Sequence, residues 1–465
     1  MAQTLMFAAS TLLSTLFARP AFSMLPLDFA NLLTDLLGGV TIDVVHLLGL
    51  LAGFWAASTS PTFSHDVAPI LYRQCASCHR PAGVAPFSLL TYQDAAKRSR
   101  LIATVTAKRY MPPWLPVEPH FQRERRLSDQ EIATLAHWAD AGALAGNPAE
   151  TAPPPQFPDG WQLGKPDLEV EMRAPYTVPA EGPDQYRCFV IPTPPGRDRW
   201  VRAMDTRPGD AKVVHHALLF QDLSGTARKR DTGSGYSCFG TPGFLPARGL
   251  GGWTPGSVPV RKADGIPDLL HGGADLVLQV HYHPTGKPET DRTRVALYFT
   301  DQGPTRKASD LPLGSNQIDI PPGEQHYKVS DHFTLPVDVE VLAINPHAHY
   351  LCRDMLAYAV LPDGSRKTLL HIAEWNFDWQ QEYDYISPIR LPEGARVEME
   401  FTYDNSAANP RNPNHPPKRV VLGPGSTDEM AGLHLGIVPV DADDADELAQ
   451  ALWGKMMRQL RRGGR

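Results

Sequence analysis

The sequence predicts a multidomain protein in which one small all-α domain precedes two all-β sandwich domains. A capping box, Ser128-Asp129-Gln130-Glu131, predicts a helix that runs to about Ala145. The chain contains 45 prolines and 37 glycines among its 465 residues, a turn-rich composition typical of short strands. Six later segments have the alternating pattern of β-strands: Leu168–Met172, Lys212–Phe220, Asp275–His283, Val295–Phe299, Val337–Ile344 and Val397–Tyr403.

Local changes in composition along the chain indicate the domain boundaries. Two apolar stretches near the N-terminus lack the basic flank of an ordinary signal peptide, and each is short for a membrane span, so we expect either an export signal or a membrane anchor there. A proline-rich linker follows the helical domain, and the acidic-then-basic C-terminus predicts a helix that is either solvated or docked. The predicted segments are 1–57 (signal or anchor), 58–147 (helical domain), 148–163 (linker), 164–305 and 306–439 (β domains) and 440–465 (helical tail).

The charge balance argues against one class of partner. The formal net charge is −7 and the pI is about 6.2. No long basic run occurs before the last few residues. We therefore expect no nucleic-acid partner.

The pentapeptide Cys75-Ala76-Ser77-Cys78-His79 is the attachment signature of a c-type haem. The two thiols of this motif form thioethers to the haem, and the histidine becomes an axial ligand of the iron. Such attachment takes place after export in bacteria. The motif therefore predicts one covalent haem c, a periplasmic or otherwise exported protein with or without an N-terminal membrane anchor, and electron transfer.

The second axial ligand is predicted from the same domain. Met111, in the phrase Tyr110-Met111-Pro112-Pro113-Trp114, is the one methionine of residues 58–147. The two prolines hold it in an extended turn, and methionine sulfur is a common haem ligand. His65, His120 and His137 are the alternatives. Residues 58–147 as a whole resemble a small mono-haem cytochrome c domain.

Three histidine clusters lie on predicted strands of the β domains. They are His215-His216, the Gln279-Val280-His281-Tyr282-His283 segment, and His347-Ala348-His349. Residues two apart on a strand share a face, about 7 Å apart, so His347 and His349 can reach one ion. Adjacent His215 and His216 can do so only through a local twist or bulge. Three such clusters predict metal binding, and Met430 nearby adds a thioether, which favours copper over zinc.

The order His-His, Gln-Val-His-Tyr, His-x-His and Thr-Asp-Glu-Met resembles the copper type II, ascorbate-dependent monooxygenases, the family of peptidylglycine hydroxylating monooxygenase and dopamine β-monooxygenase. The resemblance covers about residues 164–438. It implies two jelly-roll-like β domains with one copper in each. The implied ligands are His215, His216 and His281 for an electron-storing copper, and His347, His349 and Met430 for a copper that meets O₂ and substrate.

The resemblance also implies a disulfide between Cys188 and Cys238, which leaves Cys352 as an odd thiol that we expect in the core. The chain differs from the family at the positions that bind substrate. Where the peptide-amidating members bind a substrate carboxylate, this chain has Asn345, Gly432 and His434. A peptidyl-glycine substrate is therefore not expected.

Together these features predict an exported copper monooxygenase that hydroxylates a C–H bond of a small molecule with O₂. Electrons would arrive singly from a periplasmic or membrane donor through the haem held by His79 and Met111. The alternative from a different class is a non-oxygenating periplasmic electron-transfer or copper-binding protein, in which the β domains keep metal sites without turnover.

Overall fold

A computed structural model describes residues 60–463, apart from positions 82, 159, 194–195, 239–240, 245–247 and 424. Residues Pro61–Arg465 form one compact unit. The predicted signal or anchor at 1–57 lies outside the described residues. Within the described part of the chain, no helix is both long enough and apolar enough to cross a membrane.

Short helices make up residues 63–150. A single π-helical turn, Phe63–Val67, leads into α1 (Ala68–Gln74), α2 (Tyr92–Ala96), α3 (Ser99–Ala107) and α4 (Asp129–Asp140), and a 3₁₀ turn covers Pro148–Glu150. The predicted capping box is present at Ser128 and Glu131. The helix that it opens ends earlier than predicted, because Gly142 and Ala143 adopt positive φ angles of 84° and 58°. Leu71, Leu135 and Trp138 are fully buried at the centre of this region.

The first β region consists mainly of two five-stranded antiparallel sheets. One contains β1, β12, β4, β8 and β9, and the other has the order β6-β3-β10-β5-β7. Side chains of both sheets, such as Val295 and Leu278, meet in one buried core, as in a sandwich. The strands are β1 Leu168–Glu171, β2 Tyr176–Val178, β3 Gln185–Pro192, β4 Arg199–Arg207, β5 Val214–Asp222, β6 Tyr236–Ser237, β7 Arg248–Trp253, β8 Val260–Arg261, β9 Asp268–Leu270, β10 Asp275–Tyr282, β11 Glu289–Asp291 and β12 Arg294–Thr300, with a short helix α5 at Thr226–Arg230.

The second β region has two four-stranded antiparallel sheets, in the orders β13-β22-β16-β19 and β15-β20-β17-β18. They share a core that includes Leu433 and Phe401. The strands are β13 Ser309–Gly314, β14 Asp319–Ile320, β15 Tyr327–Thr334, β16 Val339–Ala348, β17 Cys352–Val360, β18 Arg366–Ile372, β19 Tyr383–Leu391, β20 Arg396–Tyr403, β21 Val420–Val421 and β22 Ala431–Pro439. The predominantly β architecture is confirmed, and the six predicted strands coincide, to within a few residues, with β1, β5, β10, β12, β16 and β20.

Two segments from outside the β regions complete the second core. The C-terminal helix α6 (Ala445–Gly463) is docked rather than solvated, since Leu448 and Leu452 are buried there and Lys455 bonds Asp331 at 2.7 Å. The second segment is residues 113–126, which we call the docking segment. Its Phe121 is 2% exposed within the same core. The docking segment thus contributes to the core of the second β region, whereas the helices pack around a core of their own.

Candidate metal centre

The first histidine cluster forms on two neighbouring strands, β5 and β10. His281 of β10 pairs directly with His216, and Tyr282 pairs with Val214, so His215 is the extra residue of a β-bulge. The bulge that adjacent histidines require is therefore present. One ring nitrogen from each of His215, His216 and His281 lies within 4.8 Å of the others, close enough to hold one metal ion.

The hydrogen bonding of His281 suits a metal ligand. Its Nε2 donates to the Asp184 carboxylate at 3.0 Å, while its Nδ1 is buried and has no hydrogen-bond partner. A ring nitrogen held by a carboxylate, with the other left unpaired, is the usual arrangement around protein metal ions. Asp184 also accepts from His283 at 2.7 Å. Burial raises the pKa of Asp184, but the hydrogen bonds from the two histidines outweigh it, so the pKa is lowered and the group is a carboxylate.

His215 and His216 are neutral imidazoles. Their Nδ1 atoms lie 3.4 Å apart. Burial, followed by the nearby His281, lowers the pKa of His215 to about 3 and that of His216 well below its usual range. Because metal ions bind deprotonated histidine, the ligands need no proton loss at neutral pH.

A disulfide braces this sheet. Cys188 and Cys238 are bonded, which confirms the pairing that the resemblance implied. Cys188 lies on β3 opposite Gln279 of β10, two residues from His281. Cys352 is fully buried and unpaired in the second core, as expected.

The second pair, His347 and His349, lies at the end of β16. Their ring centroids are 5.3 Å apart with the rings perpendicular. His347 Nδ1 donates to Gln380 Oε1 at 2.5 Å and His349 Nδ1 donates to the Asp428 carbonyl at 3.2 Å. Burial lowers the pKa of His347 to about 4, although the hydrogen bond with Gln380 acts in the opposite direction. Burial, followed by the nearby His347, lowers the pKa of His349 to about 3. Each therefore has a free Nε2 lone pair for a metal.

The strand register brings Met430 beside His349. Ala348 of β16 pairs with Ala431 of β22, so Met430 is the next residue along. The buried Glu429 carboxyl accepts the backbone N–H groups of His349, Leu351 and Met430 at 2.8 to 2.9 Å. This carboxyl ties the two chain segments of the second pair together. Burial raises its pKa to about 8, although these hydrogen bonds act in the opposite direction.

One aromatic ring connects the two clusters. Phe377 stacks on His215 with ring centroids 4.8 Å apart and meets His349 edge-on at 5.4 Å. The His215 and His349 rings are therefore separated by about 10 Å at most, since the two distances through Phe377 add to that limit. The side chain of Phe377 is buried, so one apolar ring contacts an imidazole of each cluster.

The predicted haem-attachment motif forms a tight turn at the end of α1. The N–H groups of Cys78 and His79 both donate to the Cys75 carbonyl. Both cysteines are unpaired, unlike Cys188 and Cys238. His79 Nδ1 donates to the Phe87 carbonyl at 3.1 Å and leaves Nε2 for a metal, as an axial haem ligand requires. Burial lowers the pKa of His79.

Met111 lines a cavity of about 230 Å³ together with Leu127 and Ile132. Ile132 also packs on the helical core, as do Cys75 and Phe87. The cavity therefore borders the helical core. The alternatives for the second axial ligand differ from Met111 in surroundings: His65 is paired with Asp66 and His120 with Glu124.

The residues at the positions of the family's carboxylate clamp lie together. Asn345 pairs with His434 across β16 and β22, and Gly432 pairs with His347. His434 Nδ1 donates to Asp310 at 2.7 Å. Burial lowers the pKa of His434, but Asp310 outweighs it, so the net pKa is raised. The place of the clamp therefore carries an imidazole already held by a carboxylate.

The sequence analysis missed four residues that support the clusters: Asp184, Phe377, Gln380 and Glu429. Glu429 belongs to the Thr-Asp-Glu-Met motif and stands next to a predicted ligand, so its position was a usable signal. The other three lie in loops that approach the histidines only in the folded chain.

No protein-family model matches the sequence, and no curated protein matches it. Among solved structures, the fold is similar to the major capsid protein P2 of bacteriophage PM2 (TM-score 0.25, 9% identity, 60% of this chain and 99% of that one). It is also similar to the VP2 subviral particle of infectious bursal disease virus (0.19, 8%, 61% and 73%) and to a putative alpha-L-fucosidase from Bacteroides ovatus (0.16, 12%, 64% and 44%). Likenesses at these TM-scores carry no argument about function.

Proposed function

We propose that the protein is an exported copper monooxygenase with its own haem c. It would insert one atom of O₂ into a C–H bond of a small substrate and reduce the other atom to water. The balance is C–H + O₂ + 2 e⁻ + 2 H⁺ → C–OH + H₂O. The observation that carries this proposal is the pair of histidine clusters with different donor sets, joined through the single ring of Phe377.

The donor sets support a division of labour. His215, His216 and His281 offer three imidazoles and suit a copper that changes oxidation state with little change of ligands. His347 and His349 offer two imidazoles, and Met430 would add a weak, soft thioether that favours Cu(I). Copper bound in these two sites would supply the one-electron chemistry and the activation of O₂.

The haem-attachment turn supports a built-in electron source. His79 is already oriented by the Phe87 carbonyl, and Cys75 and Cys78 are both free to form thioethers. Met111 is the proposed second axial ligand. A one-electron donor in the periplasm or membrane would reduce the haem, because attachment of this cofactor follows export.

The substrate is proposed as a small molecule without the peptidyl carboxylate of the amidating enzymes. At that place His434 is held by Asp310, and Asn345 is exposed beside it. A neutral amide and an imidazole can orient a polar substrate, but neither supplies the bidentate cation that a carboxylate clamp uses.

Metal content and isotope labelling test the proposal. Protein matured with haem should contain about one haem c and two coppers per chain by pyridine haemochrome assay and elemental analysis. Pre-reduced protein should then be mixed with ¹⁸O₂ and a fractionated metabolite extract, and one product should carry a single ¹⁸O atom. Copper and haem without O₂ consumption would favour the electron-transfer alternative, and zinc alone in the β regions would overturn the monooxygenase.

Two substitutions separate the proposed roles. Met430→His should abolish hydroxylation while copper still binds at the first cluster. His216→Ala should leave O₂ reactivity but limit pre-reduced enzyme to less than one turnover. Exposed His326, outside both clusters, gives the matched control His326→Ala. Indistinguishable defects in Met430→His and His216→Ala, measured by single-turnover kinetics, would contradict the division of labour.

A further inference from the structure

We propose that Arg125 is a positioning residue that completes a route of close contacts and hydrogen bonds for electrons from the proposed haem-attachment turn to the second histidine pair. The inference rests on the proposed function and adds the point at which electrons enter. It assigns entry to the His347 end of the site, and entry at the three-histidine cluster along the backbone of β7 is the competing outcome of the test.

The route begins where the first β region touches the attachment motif. Gly256 follows β7 and has a φ of 80°, a conformation suited to glycine. A Cβ built on Gly256 would lie only 3.7 Å from the Cys78 Sγ. Cys78 is one of the two proposed thioether links, so the backbone of Gly256 lies against the proposed haem edge.

Arg125 joins three parts of the molecule. Its guanidinium donates to the Gly256 carbonyl at 3.0 Å, to Gln381 Oε1 at 2.8 Å and, within its own segment, to the Pro113 carbonyl at 3.4 Å. A planar guanidinium with several donors can bind acceptors from several directions at once and stays protonated, so no proton moves through it.

The route ends at a proposed metal ligand. Gln381, which accepts from Arg125, is the chain neighbour of Gln380, whose Oε1 accepts from His347 Nδ1 at 2.5 Å. The sequence of contacts is therefore Cys78, Gly256, Arg125, Gln381, Gln380 and His347. Electron tunnelling is faster along covalent and hydrogen bonds than across gaps, so this series is a suitable path.

The docking segment makes the path rigid. Val117 donates its backbone N–H to the His371 carbonyl, and the His371 N–H donates to the Glu118 carbonyl. Gln122 donates from its backbone to Asp384 and from its side chain to Tyr385. Phe121 is buried in the second core. Arg125 is therefore held in place on both sides, and its reach to Gln381 does not depend on an unsupported loop.

The first cluster is reached from Gly256 along the backbone and not through Arg125, because the chain leads back from Gly256 to Trp253 of β7, which pairs with Ala217 beside His216. In the described part of the chain, the side-chain hydrogen bonds of this cluster lead to Asp184 and from there to His283. None of the hydrogen bonds described for residues 61–147 reaches His215, His216 or His281. With both groups bound, one electron would pass from ferrous haem to one Cu(II) held by the second pair, which would leave ferric haem and Cu(I), and an external one-electron donor would reduce the haem again.

The test follows the haem and not turnover. Copper-loaded protein is kept anaerobic and its haem is reduced rapidly with dithionite in a stopped-flow instrument. Re-oxidation of the haem is recorded by absorbance, and copper reduction is recorded by freeze-quench electron paramagnetic resonance. In the natural protein, the Cu(II) signal of the second pair should disappear first.

Arg125→Ala should slow haem re-oxidation by about 10-fold or more, on the scale of losing an outer-shell hydrogen bond of a metal centre. Gln380→Ala should slow it similarly, and the double variant should be no slower than the slower single variant, since both interrupt one path. Arg123→Ala is the matched control, because Arg123 is also an arginine of the docking segment but pairs with Asp384 of β19 and not with Gly256 or Gln381. If Arg125→Ala does not fold, Gln381→Leu interrupts the same link.

The outcomes are distinguishable. Equal rates in Arg125→Ala and Arg123→Ala, with haem and copper content unchanged, would overturn the route and leave the proposed function standing. Additive effects of Arg125→Ala and Gln380→Ala would also overturn it, since additivity indicates independent actions. Earlier reduction of the first cluster would overturn the assigned point of entry. Natural protein that holds no haem or no copper would overturn both proposals.

Discussion

The two histidine clusters use the same side chain but are built in different ways. The first lies on adjacent strands of one sheet, with a bulge at His215 and a disulfide on the neighbouring strand. The second lies at the end of β16, and the loops around Gln380 and Asp428 orient its imidazoles. A cluster set by strand pairing is rigid, whereas one assembled from loops can adjust. This difference agrees with an electron-storing role for the first cluster and a reactive role for the second.

The largest expected effect that distinguishes the two clusters is loss of the disulfide beside the first. Replacing both Cys188 and Cys238 by serine should lower the free energy of unfolding by about 4 kcal/mol, because the bond closes a loop of about 50 residues. Chemical denaturation followed by tryptophan fluorescence measures it. The His281 cluster should lose metal at lower denaturant than the His347 pair. Equal loss from both sites would show that the bond does not brace the first cluster in particular.

The matching support of the second cluster is Glu429. Glu429→Ala leaves the N–H groups of His349, Leu351 and Met430 buried without an acceptor, so we expect a loss of about 3 kcal/mol or more, since each unpaired donor costs about 1–3 kcal/mol. Denaturation titrations compare it with Glu400→Ala, which removes only a half-exposed pair with Lys328. Similar stability of the two variants would contradict the tying role of Glu429.

A smaller effect distinguishes the clusters by metal affinity. Asp184→Asn should weaken copper binding at the first cluster by about 10- to 100-fold, the range found for outer-shell partners of ligating histidines, and should leave the second unchanged. Competitive titration with a copper chelator measures both sites. His283→Ala is the control, because it removes the other partner of Asp184 but no proposed ligand. A loss at the second site would mean that Asp184 acts through the fold and not through His281.

The smallest effect is expected at the residue that the clusters share. Phe377→Leu keeps an apolar side chain but removes the ring between His215 and His349, and it should cost about 1 kcal/mol of stability. The copper resonance spectra of both sites should change together, unlike in the Asp184 variant. A change confined to one site would place Phe377 in that cluster alone.

Features set by strand periodicity could be predicted from the sequence, whereas features set by strand register or by loops could not. Alternating patterns predicted the β regions, and the adjacent His215 and His216 predicted a bulge, because side-chain direction along a strand has a fixed period. Asp184 could not be found in this way. It reaches His281 because β3 and β10 pair in a particular register. A single sequence does not show which residues pair between two strands about 90 residues apart.

The loop-borne supports were less predictable still. Phe377 and Gln380 lie between β18 and β19, where no periodic pattern assigns a direction to a side chain. The phrase Met111-Pro112-Pro113-Trp114 was interpreted only as a ligand-presenting turn. The residues that come after this phrase have a second role in the structure. Phe121 enters the core of a region that begins almost 190 residues later.

That shared core limits how this molecule can be divided. Phe121 stacks near Tyr383 and Tyr385, and Gln122 bonds β19. Removing residues 58–147 to obtain the β regions alone would leave a cavity at the site of a buried aromatic ring and an uncovered strand edge, which promotes self-association. For protein engineering, exchange of the helical region therefore has to keep residues 113–126 with the β regions.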